Sequence, residues 1–292
     1  MLRFVNLTLS GITDGMIFAT VALALVMIFR STRVLNFAQG DMLMITTFIA
    51  WTVQNETRSY WLALGAALLA GAALGALTER VLIRPLERKP GLNALIVTLG
   101  MASLLSAIAG MIWGAQPRSY PPPFSVQGFS VAGSRLLLSP TDVFTIAMVA
   151  ITMIALVLLF RRTTLGLRMR AAALAPEIAR ILGVRVGRML TTGWALAGLI
   201  GSLAGVLTAP SLFLGPNQFD PVLVYSFTAA IIGGLDSPVG SVVGGLLLGC
   251  TVSYTSGYAG SEISPLGACA VLLAVLVVRP SGLFGTSTAR TA

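Results

Sequence analysis

The chain of 292 residues contains no histidine, a single lysine (Lys89), two cysteines and only ten acidic side chains. Without histidine there is no Ser-His hydrolase, no His-ligated metal or haem centre and no His proton relay. Lys89 is followed by Pro90, so the G-x-x-x-x-G-K-[ST] phosphate loop is missing and the chain by itself is not a P-loop ATPase. A membrane enzyme would lack the usual general base. Cys250 and Cys269 stand in apolar stretches, where a free cysteine behaves as a small hydrophobe, and they read as packing residues. No metal or cofactor is expected.

Charge is scarce as well. Charged residues make up 10% and hydrophobic ones 56% of the chain, with a mean hydropathy of +0.90, against roughly 25% charged in a soluble domain. A helix needs about 20 apolar residues to cross the hydrocarbon core. Such stretches recur at 12 to 29, 41 to 54, 61 to 79, 92 to 114, 141 to 160, 190 to 213, 222 to 235, 240 to 256 and 265 to 278. The expected fold is an all-α polytopic membrane protein, a compact bundle of about 8 to 9 transmembrane helices, some short or broken. Residues 1 to 292 read as a single transmembrane domain. The first run, Met16 to Ile28, has Asp14 before it and Arg30 and Arg33 after it, and lacks a small-x-small cleavage site, so it reads as a retained helix.

The formal charge of +9 could indicate nucleic acid, but its distribution excludes that partner. If the segments 30 to 40, 80 to 91, 161 to 189 and the C-terminal tail share one side, that side holds fifteen of the nineteen basic residues; Arg3, Arg58, Arg118 and Arg135 face the other. The basic side is cytoplasmic, which places the C-terminus inside and, with nine spans, the N-terminus outside. A second span that only dipped into the membrane would move the N-terminus inside. Asp14, Asp41, Asp142 and Asp236 fall at or near predicted helix ends, unlike the mid-membrane acid chains of ion-driven pumps. The outward segment 115 to 140, rich in Pro and Ser, reads as a cover, a docking surface or a connector. Glycines spaced by four (Gly71 and Gly75, Gly110 and Gly114, Gly201 and Gly205, Gly240 and Gly244, Gly245 and Gly249) predict close helix packing in lipid.

Three places carry more. In "VLNFAQGDMLMI", Gly40 interrupts two apolar runs and Asp41 stands where the next helix would begin, as a cap or more. Asn36 and Gln39 beside apolar spans need partners or a wet cavity. In "IIGGLDSPVGSVVGG", Gly233 and Gly234 end one helix, Ser237 is placed to cap the next and Pro238 to start it, with Gly240 close behind. That is either a tight helical hairpin or an interrupted helix beside a pathway. In "RRTTLGLRMRAAALAPEIARILGVRVGRM", Pro176 and Glu177 open a short helix whose Ile178, Ile181 and Leu182 form an apolar edge, closed by Gly183. Arg170, Arg180, Arg185 and Arg188 flank it. It could lie on anionic membrane lipid or dock a cytoplasmic partner.

At these three places the sequence resembles the permease subunits of ABC importers for branched-chain amino acids. "NFAQGDM" is similar to the family signature after the first helix, "GGLDSPVGSVVGGLLLG" to its paired-glycine segment, and "RAAALAPEIARILGVRVGRM" to its cytoplasmic loop. The resemblance runs along nearly the whole chain. It implies a soluble periplasmic binding protein outside, two permease subunits forming the path, and two ATPases in the cytoplasm, all at the bacterial inner membrane. This chain would be one permease half, paired with a second, different permease subunit. The residues expected to line the path are Asn36, Gln39, Gly40, Asp41, Gly233, Gly234, Ser237, Pro238 and Gly240. Those expected to couple to the ATPase are Pro176, Glu177, Ile178, Arg180, Ile181, Leu182, Gly183 and Arg185. Gln39 and Leu235-Asp236 fall where the family varies, so no substrate specificity transfers. Rival readings are a permease of the related sugar or urea importers and a self-sufficient secondary carrier.

Overall fold

A computed structural model describes residues 2–86, 91–131, 134–135 and 137–285. Lys89, Pro90 and Arg290 lie outside them. Helices occupy all nine predicted spans: α1 (Leu2–Thr32), α2 (Gln39–Thr57), α3 (Tyr60–Thr78), α4 (Gly91–Trp113), α5 (Pro140–Arg162), α8 (Val186–Thr208), α9 (Asp220–Gly233), α10 (Pro238–Ala259) and α11 (Ser264–Val278). Two further helices, α6 (Thr164–Leu174) and α7 (Pro176–Ile181), fill the basic segment before α8. The described residues also hold a π turn (Glu79–Ile83), short 3-10 turns and a two-residue strand pair, β1 (Ser130–Val131) with β2 (Ser134–Arg135). Seven of the described helical stretches are long and apolar enough to cross a bilayer. The two predicted spans outside that set are α9, apolar but of 14 residues, and α2. At 1.5 Å per residue the 19 residues of α2 rise about 28 Å, close to the thickness of a hydrocarbon core.

The structure corrects several expectations. The first helix begins at Leu2 rather than near residue 12, which puts Asp14 in its interior instead of at its end. The second begins at Gln39, so Gly40 lies inside it and the break falls over residues 33 to 38. No Cβ contact exists within 4 Å of Gly110 or Gly114, so that glycine pair packs nothing among the described residues. Cys269 is exposed on α11, not a packing residue.

The chain's contacts fall into two units, one of residues 1–26, 122–149 and 222–292, the other of residues 27–121 and 150–221. In the second, α2 is buried against α3, α4 and α8, with Met42, Leu43, Met44 and Phe48 in its core. This explains how a helix with four threonines and two glutamines serves as a span: it need not be apolar toward lipid. Thr46, Thr47 and Thr52 return their hydroxyls to carbonyls of the same helix, Leu43 for the first two and Phe48 for the third, at 2.7 to 3.0 Å. On α3 and α8 the glycines admit backbone contact: a Cβ on Gly71 would strike Ser202 and Gly198, and one on Gly75 would strike the Trp194 carbonyl. In the segment after α4, the Arg118 guanidinium lies 4.4 Å from the Trp51 ring centroid, and its backbone pairs with Leu214 at 2.9 and 2.7 Å. Trp113 donates to Thr52 at 2.9 Å and stacks on Phe48, so residues 113 to 121 form a cover fixed over the end of α2.

In the first unit the same device joins α1 to α10. A Cβ on Gly11 would come within 2.8 Å of Cys250 Cα, one on Gly15 within 2.9 Å of the Gly245 carbonyl, and one on Gly249 would overlap Gly15. Gly244 likewise seats against the Ala229 carbonyl of α9.

Candidate functional site

The chain leaves α1 through Arg33, whose φ is 56°, and enters α2 without the cap expected of Asp41. The N-cap position is Ala38, with no side chain to cap the first turn; Asn36 instead holds the approach, its Oδ1 accepting the Ala38 N–H at 3.1 Å in an Asx turn just before the helix. The same side chain donates from Nδ2 to Gln39 Oε1 at 3.0 Å. Gln39 in turn donates from Nε2 to the Ala197 carbonyl of α8 at 3.4 Å. Gly201 leaves the room for that amide, since a Cβ there would overlap Gln39 Nε2. Asn36, Ala38 and Gln39 are all but sealed from solvent. The two amides thus find the partners that burial demands, in each other and in α8.

Asp41 follows in the first turn of α2 and is 7% exposed. Its carboxylate accepts from its own backbone N–H, and among the described residues no cation pairs with it. The positive end of the helix dipole favours its charge, but a carboxylate this buried with no cation beside it costs stability.

The second break lies in the other unit. Gly234 has φ of 102°, Ser237 Oγ accepts the Gly240 N–H at 3.0 Å and Pro238 opens α10, as the residues predict. Gly233 and Gly240 touch backbone to backbone. Sequence reasoning missed the tail. Leu283 donates its N–H to the Ile232 carbonyl at 2.8 Å and Phe284 to the Gly233 carbonyl at 3.0 Å. The last carbonyls of α9 are therefore taken by the chain's own C-terminal segment.

In the basic segment, α7 closes in a Schellman turn: Val184 donates to the Ala179 carbonyl at 2.9 Å and Gly183, with φ of 81°, to that of Arg180 at 3.0 Å. Ala179 packs inward with Ala172, Val186 and Leu190. The opposite edge is bare, with Ile178 60%, Ile181 85% and Leu182 76% exposed. Glu177 and Arg180 pair at 3.0 Å on the surface, and Arg185 is exposed at the start of α8. A cavity of about 500 Å³ beside α7 is lined by Arg33, Ile83, Ala172, Glu177 and Arg180 among others.

A family model described as the permease component of branched-chain amino acid transport systems matches residues 7–278. The chain belongs to this family. The high-affinity branched-chain amino acid transport permease LivH of Salmonella typhimurium is 27% identical over 97% of this chain and 96% of its own length. The corresponding BraD of Pseudomonas aeruginosa is 25% identical over 97% and 96%. The fructose import permease FruF of Bifidobacterium longum matches less of both, 24% identical over 75% of this chain and 62% of its own. The chain is thus a multi-pass ABC-importer permease.

Within this permease Asn36, Gln39, Gly40 and Asp41 stand together at the start of α2, and Pro176 to Arg185 form one exposed knob in the same unit. Gly233, Gly234, Ser237, Pro238 and Gly240 form a separate joint in the other. A cluster of the half-buried Arg84 and Thr191 around the buried Glu79 went unpredicted. Its only sequence signal is an acid and a base five residues apart before Pro85.

Proposed function

We propose that this chain is one permease half of an ATP-driven importer of branched-chain or other hydrophobic amino acids, built as a single transmembrane domain. Its basic end and C-terminus face the cytoplasm, as the positive-inside asymmetry requires. It pairs with a second, different permease subunit, takes solute from a periplasmic binding protein, and relies on two separate ATPase subunits for hydrolysis, being no enzyme itself. The amino-acid class rests on the printed names of the long-matching relatives, LivH and BraD.

The observation that supports an ATP-driven reading best is α7, a short helix at the basic end that exposes Ile178, Ile181 and Leu182 together. Three apolar side chains on a polar knob, flanked by Arg180 and Arg185, suit a groove on a soluble partner. The path proposal centres on the start of α2. Asn36 and Gln39 fix the turn, Gly40 stands in the first turn of α2, and Asp41 offers a carboxylate without a paired cation to the ammonium group of an amino acid. The joint at Gly233, Gly234, Ser237, Pro238 and Gly240 is proposed, within its own unit, as a second path-lining bend, its last α9 carbonyls already satisfied.

The test is reconstitution with the co-purifying ATPase, second permease and binding protein in liposomes, measuring ATP-dependent uptake of labelled leucine and fructose. Leucine uptake is expected, with Asp41→Asn lowering it roughly tenfold or more, the scale of one charge-assisted contact, while the complex still assembles. Uptake by this chain alone without ATP would overturn the proposal in favour of a secondary carrier, and fructose uptake would overturn the substrate class.

A further inference from the structure

Glu79 is fully buried at the end of α3, where the helix widens into a π turn over Glu79–Ile83. In an α-helix a residue five positions on would point about 140° away. The i→i+5 geometry of a π turn brings it back over its partner, and Arg84 lies over Glu79. Its Nε donates to Oε1 at 3.1 Å and its Nη2 lies 3.0 Å from Oε2. Pro85 follows, unable to donate the N–H that would continue an α-helix, which favours the wider turn.

The pair does not stand alone. Nη2 of Arg84 also reaches the Gly187 carbonyl at 2.8 Å and Thr191 Oγ1 at 2.7 Å, both on the first turns of α8. The Thr191 hydroxyl has one proton and lies 2.7 Å from Glu79 Oε2 and 2.9 Å from the Gly187 carbonyl. Because Arg84 already serves that carbonyl, the hydroxyl donates to the carboxylate. The Arg84 side chain is 37% exposed and that of Glu79 fully covered, so these donors take the place of water around the carboxylate. Farther along the same two helices, Gly75 meets the Trp194 carbonyl and Gly71 meets Gly198 backbone to backbone. α8 also begins three residues after Gly183, which closes α7.

We infer that Glu79, Arg84 and Thr191 form a clasp that fastens α3 to the root of α8, so that displacement of α7 by the ATPase moves α3 and α8 as one body rather than bending α8 at its start. The inference rests on the reading of α7 as the ATPase dock. These are positioning residues, touching neither solute nor nucleotide. Their loss lets ATP be hydrolysed without moving solute.

The experiment measures solute moved per ATP hydrolysed by the full reconstituted complex, together with complex yield and thermal stability. Thr191→Val keeps the side-chain shape and removes the hydroxyl; Thr191→Ser keeps the hydroxyl. The expected result is a roughly tenfold fall in the ratio for Val, the scale of one charged hydrogen bond, with yield unchanged and the ratio restored by Ser. Arg84→Ala should lower the ratio further, and if it fails to assemble, the Thr191 pair decides. Ile181→Asp tests the dock separately, by whether it strips the ATPase from the complex. An unchanged ratio for Thr191→Val, with Ile181→Asp stripping the ATPase, overturns the clasp alone. Equal losses in Val and Ser would also overturn it, as the mark of packing. ATPase retained by Ile181→Asp overturns the dock, and the clasp with it.

Discussion

Asn36→Ala removes one side chain with three partners in a sealed place, Ala38, Gln39 and, at 3.4 Å, the Met42 sulfur. Ala38 and Gln39 are 0% exposed and Asn36 itself 1%, so no water replaces what is lost. The Ala38 N–H loses the Oδ1 acceptor at 3.1 Å, and Gln39 Oε1 loses the Nδ2 donor at 3.0 Å. Leaving a buried donor or acceptor unpaired costs about 1 to 3 kcal/mol each, which sums to about 2 to 6 kcal/mol. Gln39 then has less to hold it against Ala197, and the entry into α2 loosens. The assay is equilibrium unfolding of the purified permease from mild detergent into SDS, followed by circular dichroism. Asn36→Asp separates the two bonds, since it keeps the acceptor for Ala38 and sets an oxygen against Gln39 Oε1. A loss within about 0.5 kcal/mol, the range of ordinary surface substitutions, would refute the claim that Asn36 fixes the turn into α2 and pins Gln39.

Gly249→Val pushes a side chain into Gly15 of α1 and should cost about 1 to 3 kcal/mol or more as overpacking. In contrast Gly65→Ala, with nothing within 4 Å of its added carbon, should be neutral or gain about 0.5 to 1 kcal/mol from helix propensity; the same SDS titration reads both, and equal effects would show that the close helix contacts are not what these glycines serve. Truncation after Arg279 removes the donors to Ile232 and Gly233, and hydrogen exchange should quicken at the end of α9 while α10 stays protected. Unchanged exchange there would mean that the tail does not hold the joint.

Hydropathy made the spans legible because a bilayer imposes a length and a composition on whatever crosses it. The joint before α10 was legible for a local reason: Ser237 and Pro238 each have one favoured place at a helix start. The start of α2 was misread because Gly40 looked like a breaker and Asp41 like a cap. The helix starts after Ala38 with no side-chain cap, and its approach is held instead by the Asx turn of Asn36 onto the Ala38 N–H. Gly40 sits inside a helix that tertiary packing on α3, α4 and α8 stabilises despite the propensity cost. Helix α6 went unseen because "TLGLRMRAAAL" has no apolar stripe of its own; its start is set by Thr163, whose Oγ1 accepts the Gly166 N–H at 3.1 Å.

The clasp shows where periodicity fails on principle. Pattern arguments look for partners at i+3 and i+4, and Glu79 with Arg84 satisfies neither, so in an α-helical register the two charges point apart. Only the π turn aligns them, and nothing local to "ERVLIRP" reports it except a proline that cannot extend the helix. The third member, Thr191, is more than a hundred residues away and is one of many threonines that, by themselves, would only return a hydroxyl to their own helix. A buried carboxylate without its cation costs several kcal/mol, so Glu79 is tolerable in that place only where the widened turn brings Arg84 over it, and Thr191 adds the tie to α8. The turn, the acid and the base are therefore one feature energetically, and a sequence reading that scores them one at a time finds none of them.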